Sequence, residues 1–351
     1  MFIIDATPRG QSWYPINHMV RLASRLFDAD VTQVSSSKKP PVATRIGSIV
    51  SPRRMAKHES ETCLLICASP SDLIQILDVP KWRTRFRFIA AWVIDSFWLN
   101  WIPTTIRLSL PFDHIFVTSG EDIEEWHRAV GIRPTWLPWG SDVLDLGSNA
   151  ADRRWDLTRV GRQPPEWESD QETAAAAAAR SITFHPRPKD LDDDSSKNYA
   201  SLMAVYGASK FLLAFSNLWN PTNYTHPTCQ YLTGRWVDAL GCGAAVAGCA
   251  PRGQNIDSLL WPEATLELNT TDRDEGLRMI EAAVTRWTPE VAKTNYAMSL
   301  GRLDWRHRFA AIAKIFGESP ILLADELNRL ERRCKDVGDI GGKRSTMGST
   351  Q

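Results

Sequence analysis

Short apolar runs alternate with stretches whose apolar residues recur every three or four positions, and the alternation persists along nearly the whole chain. The runs suit strands buried on both faces, and the three-to-four spacing suits helices with one buried stripe. In the first half, residues 2–5, 63–68, 88–94 and 114–118 read as strands. A last short run, 135–138, ends in the turn Trp139-Gly140-Ser141-Asp142. Between them Ile16, Met19, Val20, Leu22, Ala23 and Leu26 mark a helix over 15–27. A second helix covers 71–77 with Ser69 or Ser71 as its cap, and a third covers 121–130 and closes on Gly131. Residues 35–41 read as a loop.

The second half repeats the scheme. Strands are expected over 157–161, 182–185, 211–216, 244–248 and 265–268, and helices over 275–287 and 291–303. Asp304-Trp305-Arg306-His307-Arg308 then leads into a last helix. The alanine run Ala174 to Ala179 reads as a solvent-exposed helix and 191–197 as an acidic loop. The tail beyond Lys335 has almost no apolar content and is expected to be disordered. Strands alternating with helices predict parallel sheets covered on both faces. The expected division is a first domain over 1–150, a second over 151–333 and a tail over 334–351, with the boundary near 146–155.

Composition narrows the class. The chain has 351 residues, enough for two ordinary domains, and 43% apolar with 23% charged residues fits a soluble protein with real cores. Lys plus Arg and Asp plus Glu are both 41, so no overall basic field points to nucleic acid. The six cysteines lack CxxC or zinc-site spacing and read as reduced, mostly core thiols of a cytoplasmic protein. The N-terminal apolar run is too short for a signal peptide. No run approaches the ~20 residues that span a bilayer, so any membrane association is expected to be peripheral, at the inner face of the cell membrane. Trp98, Trp101, Trp139 and Trp219 suit sugar-stacking surfaces, but packing is the favoured reading.

The densest chemistry lies in residues 231–251, YLTGRWVDALGCGAAVAGCAP. Thr233 can cap a short helix, leaving the N–H groups of Gly234, Arg235 and Trp236 free at its start. Such an end attracts anions, phosphates above all, and Arg235 adds a fixed positive charge. Asp238 sits one turn further in, where a carboxylate can accept hydrogen bonds from a ribose diol. Gly241 and Gly243 allow the helix to end and a strand to begin almost at once.

This segment resembles the donor-binding helix of the GT-B glycosyltransferases of the glycosyl transferase group 1 superfamily, including its spore-maturation-like branch. The family's acidic residue followed by Ala-Leu/Met-Ala-x-Gly-x-Pro-Val appears here as Asp238-Ala239-Leu240-Gly241-Cys242-Gly243-Ala244-Ala245-Val246. The second acidic residue of retaining members, eight positions earlier, is Gln230. Three more segments follow in family order. Ala90 to Ser96 resembles the N-domain strand ending in the catalytic cleft, with Asp95 at its end. Thr135 to Asp142 resembles the turn closing the N-terminal domain. Leu157 to Arg162 resembles the strand whose Gly-Arg pair, Gly161 and Arg162, meets the donor diphosphate. The family's following Lys is absent, and Arg187 or Lys189 stands as its substitute.

The resemblance implies two Rossmann-like domains facing each other across a cleft, and transfer of a sugar from a UDP- or GDP-sugar to a saccharide or glycolipid acceptor. It assigns Asp95, Arg162 and Arg235 to catalysis, and Gly161, Gln230, Thr233, Gly234, Asp238, Arg187 and Lys189 to the donor. No separate cofactor and no metal are expected, since Asp192-Asp193-Asp194 reads as solvated surface. His18, near the position of an inverting enzyme's base, reads as an ordinary surface or core residue. Two rivals stay open at this point: a sugar-nucleotide epimerase of the same fold, and a catalytically dead subunit that binds a partner transferase or a polysaccharide.

Overall fold

The computed structural model describes residues 1–10, 13–34, 40–50, 61–189 and 194–342. The expected loop at 35–39, the acidic positions 191–193 and the tail beyond 342 lie outside these residues. The chain divides into two compact units, one of Met1–Pro138 with Arg308–Ala324, the other of Trp139–His307 with the chain from Asp325 on. The division therefore falls after Pro138 instead of near 146–155, and the C-terminal segment is shared between the units. Its local cause is a seam just after Pro138. The Ser141 N–H donates to the carbonyl of Leu303 (2.9 Å) and the Trp305 N–H to that of Ser141 (3.0 Å), which binds the turn to its own unit.

The first unit holds a parallel six-stranded sheet: β1 (Phe2–Ala6), β2 (Asp30–Gln33), β3 (Glu61–Cys67), β4 (Phe86–Val93), β5 (His114–Val117) and β6 (Thr135–Trp136), in the order β2-β1-β3-β4-β5-β6. β1 is buried throughout and β3 at every position but its first, which is why both read as continuous apolar runs and not as alternating ones. The helix Tyr14–Phe27 buries Ile16, Met19, Val20, Leu22, Ala23 and Leu26, the stripe expected from spacing. The turn Pro70–Asp78 is 3-10, with a capping box between Ser69 and Asp72. The returning C-terminal segment completes this core. Phe309 packs edge-on to Phe27 (6.0 Å) and Phe316 against Phe88 (5.4 Å), while Glu318 accepts from the Thr62 hydroxyl (2.6 Å).

The second unit holds a parallel five-stranded sheet: β7 (Trp155–Arg159), β8 (Phe184–His185), β9 (Ser209–Leu213), β10 (Ala245–Gly248) and β11 (Thr265–Glu267), in the order β11-β10-β9-β7-β8. The helix Gly234–Gly241 turns into β10 through Gly243 at φ +78°. A side chain there would meet Arg153 Nη2 at 2.6 Å and the carbonyl of Ala292 at 2.8 Å. Only glycine fits both the backbone angle and the space.

Several expectations are corrected. Residues 195–197 are not loop but the first turn of the helix Ser195–Gly207, capped by Asp194, whose carboxylate accepts from the Ser196 N–H (2.8 Å). The chain after Leu303 forms two helices, Trp305–Phe316 and Ile321–Gly342, so helix continues past Lys335 where disorder was expected. β2 and the helix Val42–Val50 were not anticipated. Trp139 packs on Trp305 (6.5 Å), in line with packing; Trp98 stacks on Trp101 (4.7 Å), but Trp101, like Trp219, is exposed. The six cysteines are free, four of them buried.

Candidate functional site

In the second sheet the chain leaves β7 toward β8 on one side and β9 toward β10 on the other. Between the C-terminal ends of β7 and β9 the connections diverge and leave a crevice, the place where open parallel sheets bind ligands. Arg235, in the first turn of the helix Gly234–Gly241, spans this point. Its Nη1 donates to the carbonyls of Arg162 (2.8 Å) and Val160 (3.4 Å), beyond β7, and its Nη2 to that of Phe215 (3.0 Å), beyond β9. Burial pulls its pKa down to about 10, with a smaller push from the Arg162 charge nearby. Gly161 takes φ +69°, and its missing side chain leaves room beside Arg235 Nη1.

Arg162 donates to the Thr222 hydroxyl (2.8 Å) and lies over the Tyr224 ring (5.1 Å), while its Nε is buried with no hydrogen-bond partner. Among the described residues neither arginine is paired with a carboxylate. The contrast with Arg159, two residues before Gly161 at the end of β7, is sharp: it meets Asp170 (2.8 Å) and Glu168 (3.4 Å). Two guanidinium groups within each other's field, facing no acid, leave a local positive potential that an anion can satisfy.

Thr222 and Tyr224 escaped sequence reasoning. They sit on the long connection from β9 to the helix at Gly234, pinned by Asn217, whose amide donates to the carbonyls of His226 (3.0 Å) and Cys229 (2.9 Å). Its length was the available signal, because connections this long without regular structure are usually functional.

The structure thus brings together Gly161, Arg162, Gly234 and Arg235, with Thr233 at the helix start. Thr233 occupies the N-cap position with extended backbone, but its hydroxyl makes no capping bond. Gln230 accepts from the Arg252 N–H through its side-chain carbonyl. Arg187 is exposed and already paired with Glu168 (2.5 Å), so it is no free substitute for the missing Lys, and Lys189 is exposed.

Asp238 turns inward. It is fully buried and accepts from the Tyr199 hydroxyl (2.7 Å), so its carboxylate serves the core and not a ligand diol. The physical reason is that this helix is buried nearly all round, Trp236, Val237, Ala239 and Leu240 included, so a side chain one turn in meets the core. Asp238→Ala is therefore expected to destabilise the fold by about 1.5–3 kcal/mol, because it removes the buried carboxylate that accepts from the Tyr199 hydroxyl. Denaturant titration checks this, and an unchanged midpoint sinks the assignment.

In the first unit, Asp95 follows β4 directly. Its N–H donates to the carbonyl of Ala68 (2.9 Å), and both neighbours are fixed. Thr118 donates its hydroxyl to the Ile94 carbonyl, and Trp126 its indole N–H to that of Ser96 (2.8 Å). Among the described residues no donor reaches the Asp95 carboxylate, and burial raises its pKa to about 7. A carboxyl group half ionised near neutrality and held on a rigid backbone is equipped to exchange a proton. Among the described residues no group of His, Cys, Asp or Glu is arranged to hold a metal ion.

No protein-family model matches the chain, and no curated protein matches it. Solved structures do. Anabaena Alr3699/HepE in complex with UDP-glucose is 11% identical over 90% of this chain and 99% of its own, with TM-score 0.55. A structure described as trehalose-6-phosphate from E. coli bound with UDP-2-fluoro glucose is 8% identical over 89% and 98%, with TM-score 0.52. The pneumococcal O-GlcNAc transferase GtfA, in complex with UDP and GlcNAc, matches over 73% of this chain at 12% identity with TM-score 0.45, and the chain spans 56% of that protein's length. Identities this low speak to architecture alone. With two Rossmann-like α/β units built on parallel sheets, the chain has the GT-B fold.

Proposed function

We propose that the protein is a glycosyltransferase that moves a hexose from a UDP-sugar to a saccharide or glycolipid acceptor on the cytoplasmic side of the membrane. The observation that carries the reading is the pair Arg162 and Arg235 at the switch point of the second sheet, beside a helix start and without acidic partners. Leaving-group departure puts negative charge on a nucleoside diphosphate, and fixed guanidinium groups with helix N–H dipoles stabilise that charge as it grows. These groups supply the function a metal ion would otherwise serve, so we read the reaction as metal-independent. UDP is favoured over GDP because three of the structural neighbours matched over nearly their full length were solved with UDP, UDP-glucose or UDP-2-fluoro glucose. Retention of anomeric configuration follows from the resemblance of the donor helix, with the amide of Gln230 in place of the usual acid. Asp95 is proposed to accept the proton of the attacking acceptor hydroxyl.

Calorimetric titration with UDP and GDP tests the site. Arg162→Ala is expected to weaken UDP binding by roughly 10- to 100-fold, the loss of one charge-assisted contact of about 1.5–3 kcal/mol. Its melting temperature should stay close to wild type, since the side chain holds only Thr222 and Tyr224. Unaltered UDP affinity removes Arg162 from the site. UDP binding without UDP release against any acceptor panel speaks instead for a non-catalytic subunit.

A further inference from the structure

The chain leaving β4 carries an aromatic ladder out of the core. Phe97 is buried and packs against Trp98 (5.1 Å), and Trp98 stacks on Trp101 (4.7 Å) with the indole planes 9° from parallel. The stack has a local cause. Leu99–Trp101 is a 3-10 turn, closed by the Trp101 N–H on the Trp98 carbonyl (2.9 Å), and in such a turn side chains three apart eclipse one another. The Leu99 carbonyl accepts twice, from the Ile102 N–H (3.1 Å) and from Arg107 Nη2 (3.0 Å), which fixes the turn. It touches both the turn Pro70–Asp78 and the helix Ile123–Val130, which begin beyond the C-terminal ends of β3 and β5, so it stands at that edge of the first sheet.

Accessibility follows the same spacing. Asp95 and Trp98 are half-buried and Trp101 is 44% exposed, while Ser96, Phe97 and Ile102 are buried. The strip therefore runs from the Asp95 carboxyl to a flat ring. Three residues of chain reach at most about 11 Å, and the 3-10 turn adds about 6 Å, a span that a short oligosaccharide bridges. A lone tryptophan on a surface needs no explanation. This one is held by Trp98 and the turn before any ligand arrives, so stacking on it costs little ordering. From Asp95 to Asp113 the sequence has no other acid and a single base, Arg107, and the exposed Asn100 precedes the ring. A flat apolar face with an amide beside it and little charge matches a neutral pyranose, which has C–H groups on its face and hydroxyls at its rim. An acyl chain has nothing for the amide to bind.

We infer that Trp98 and Trp101 form the platform on which a neutral pyranose of the acceptor stacks; this rests on the transferase reading above. It narrows the acceptor to a saccharide with an unobstructed C–H face, such as β-linked glucose or N-acetylglucosamine. Titration of the full chain with cellohexaose and with chitohexaose, followed by saturation-transfer NMR, tests it. At least one of the two should bind the wild type at millimolar concentration. Trp101→Leu, which keeps an apolar contact with Trp98 but has no flat ring, should bind at least about fivefold more weakly, since about 40 Å² of apolar face left in water corresponds to that factor. Trp101→Tyr should recover most of the loss, and both variants should keep the wild-type UDP affinity and melting curve. Failure of both hexamers to bind the wild type, or equal binding by Trp101→Leu, overturns the platform. So does a wild-type dimer that Trp101→Leu dissociates, which would assign the ring to a second copy. UDP titration reports on the transferase reading separately: hexamer binding lost in Trp101→Leu supports the platform whether or not UDP binds.

Discussion

Asp95→Asn is expected to lower turnover about a hundred- to thousandfold, the usual contribution of a positioned general base. UDP binding should stay as in the wild type, because the proposed nucleotide contacts all belong to the second unit. In the wild type, kcat/KM should rise through about pH 7 as the Asp95 carboxyl ionises, and that limb should vanish in the variant. Stability supplies an independent check. The folded-state pKa is raised above the unfolded value, so folding favours the protonated form. That contribution is complete at low pH and is lost as pH rises through about 7. The asparagine variant has no such loss and should exceed the wild type by on the order of 2–4 kcal/mol at pH 8, with the gap closing toward pH 4. A variant that is inactive and also less stable at both pH values would place Asp95 in the scaffold.

Arg306→Met is expected to cost the second unit about 3–5 kcal/mol, the loss seen when one partner of a buried charge cluster is removed. Arg306 is fully buried and meets Asp142 (2.8 Å), Asp145 (2.7 Å), Glu326 (2.7 Å) and Asp304 (3.1 Å). Asp142 and Asp304 are themselves buried, and burial raises the Asp304 pKa despite the guanidinium beside it. Without Arg306 these carboxylates lose the guanidinium they share, while the half-exposed Arg329 still meets Asp145 (2.7 Å) and Glu326 (3.3 Å). Protonation relieves the repulsion, so the gap between variant and wild type should narrow as pH falls toward 4. Arg306→Lys should recover only part of the loss, because one ammonium cannot replace a planar fork with five donors. Chemical denaturation across pH measures both effects, and a pH-independent loss would count against the charge argument.

The hydrophobic periodicity was enough to find ten of the eleven strands, because a parallel sheet buries both faces and writes that burial as apolar runs. β2 was missed for the converse reason: Asp30-Val31-Thr32-Gln33 is exposed throughout and pairs only at an edge. The helix Val42–Val50 was hidden by the same logic, since its stripe faces outward. The start of the donor-type helix at Gly234 was legible from Thr233 and the glycines, but the side on which Asp238 projects was not. Acidic character there suited a ligand equally well, and only the fold supplies Tyr199. Arg162 and Arg235 could be named from the sequence. Their lack of acidic partners could not, because it depends on where Glu168 and Asp170 go, and those turn to Arg159. The Arg306 cluster joins residues from 142 to 326, a separation that no local pattern records.

The return of Arg308–Ala324 to the first unit also governs how the protein can be made. Neither unit is a contiguous stretch of chain, so a fragment ending at Pro138 lacks the rings of Phe309 and Phe316 and the carboxylate of Glu318, and should expose apolar surface in solution. On the ribosome the first unit waits for some 180 further residues before those partners emerge, a delay of roughly 10–35 s at ordinary elongation rates. The second unit is held back as well, since Glu326 lies beyond the same crossing. Completion of the two units is thereby tied to synthesis of the last helix, and a nascent chain stalled anywhere before it presents two unfinished cores to the chaperones.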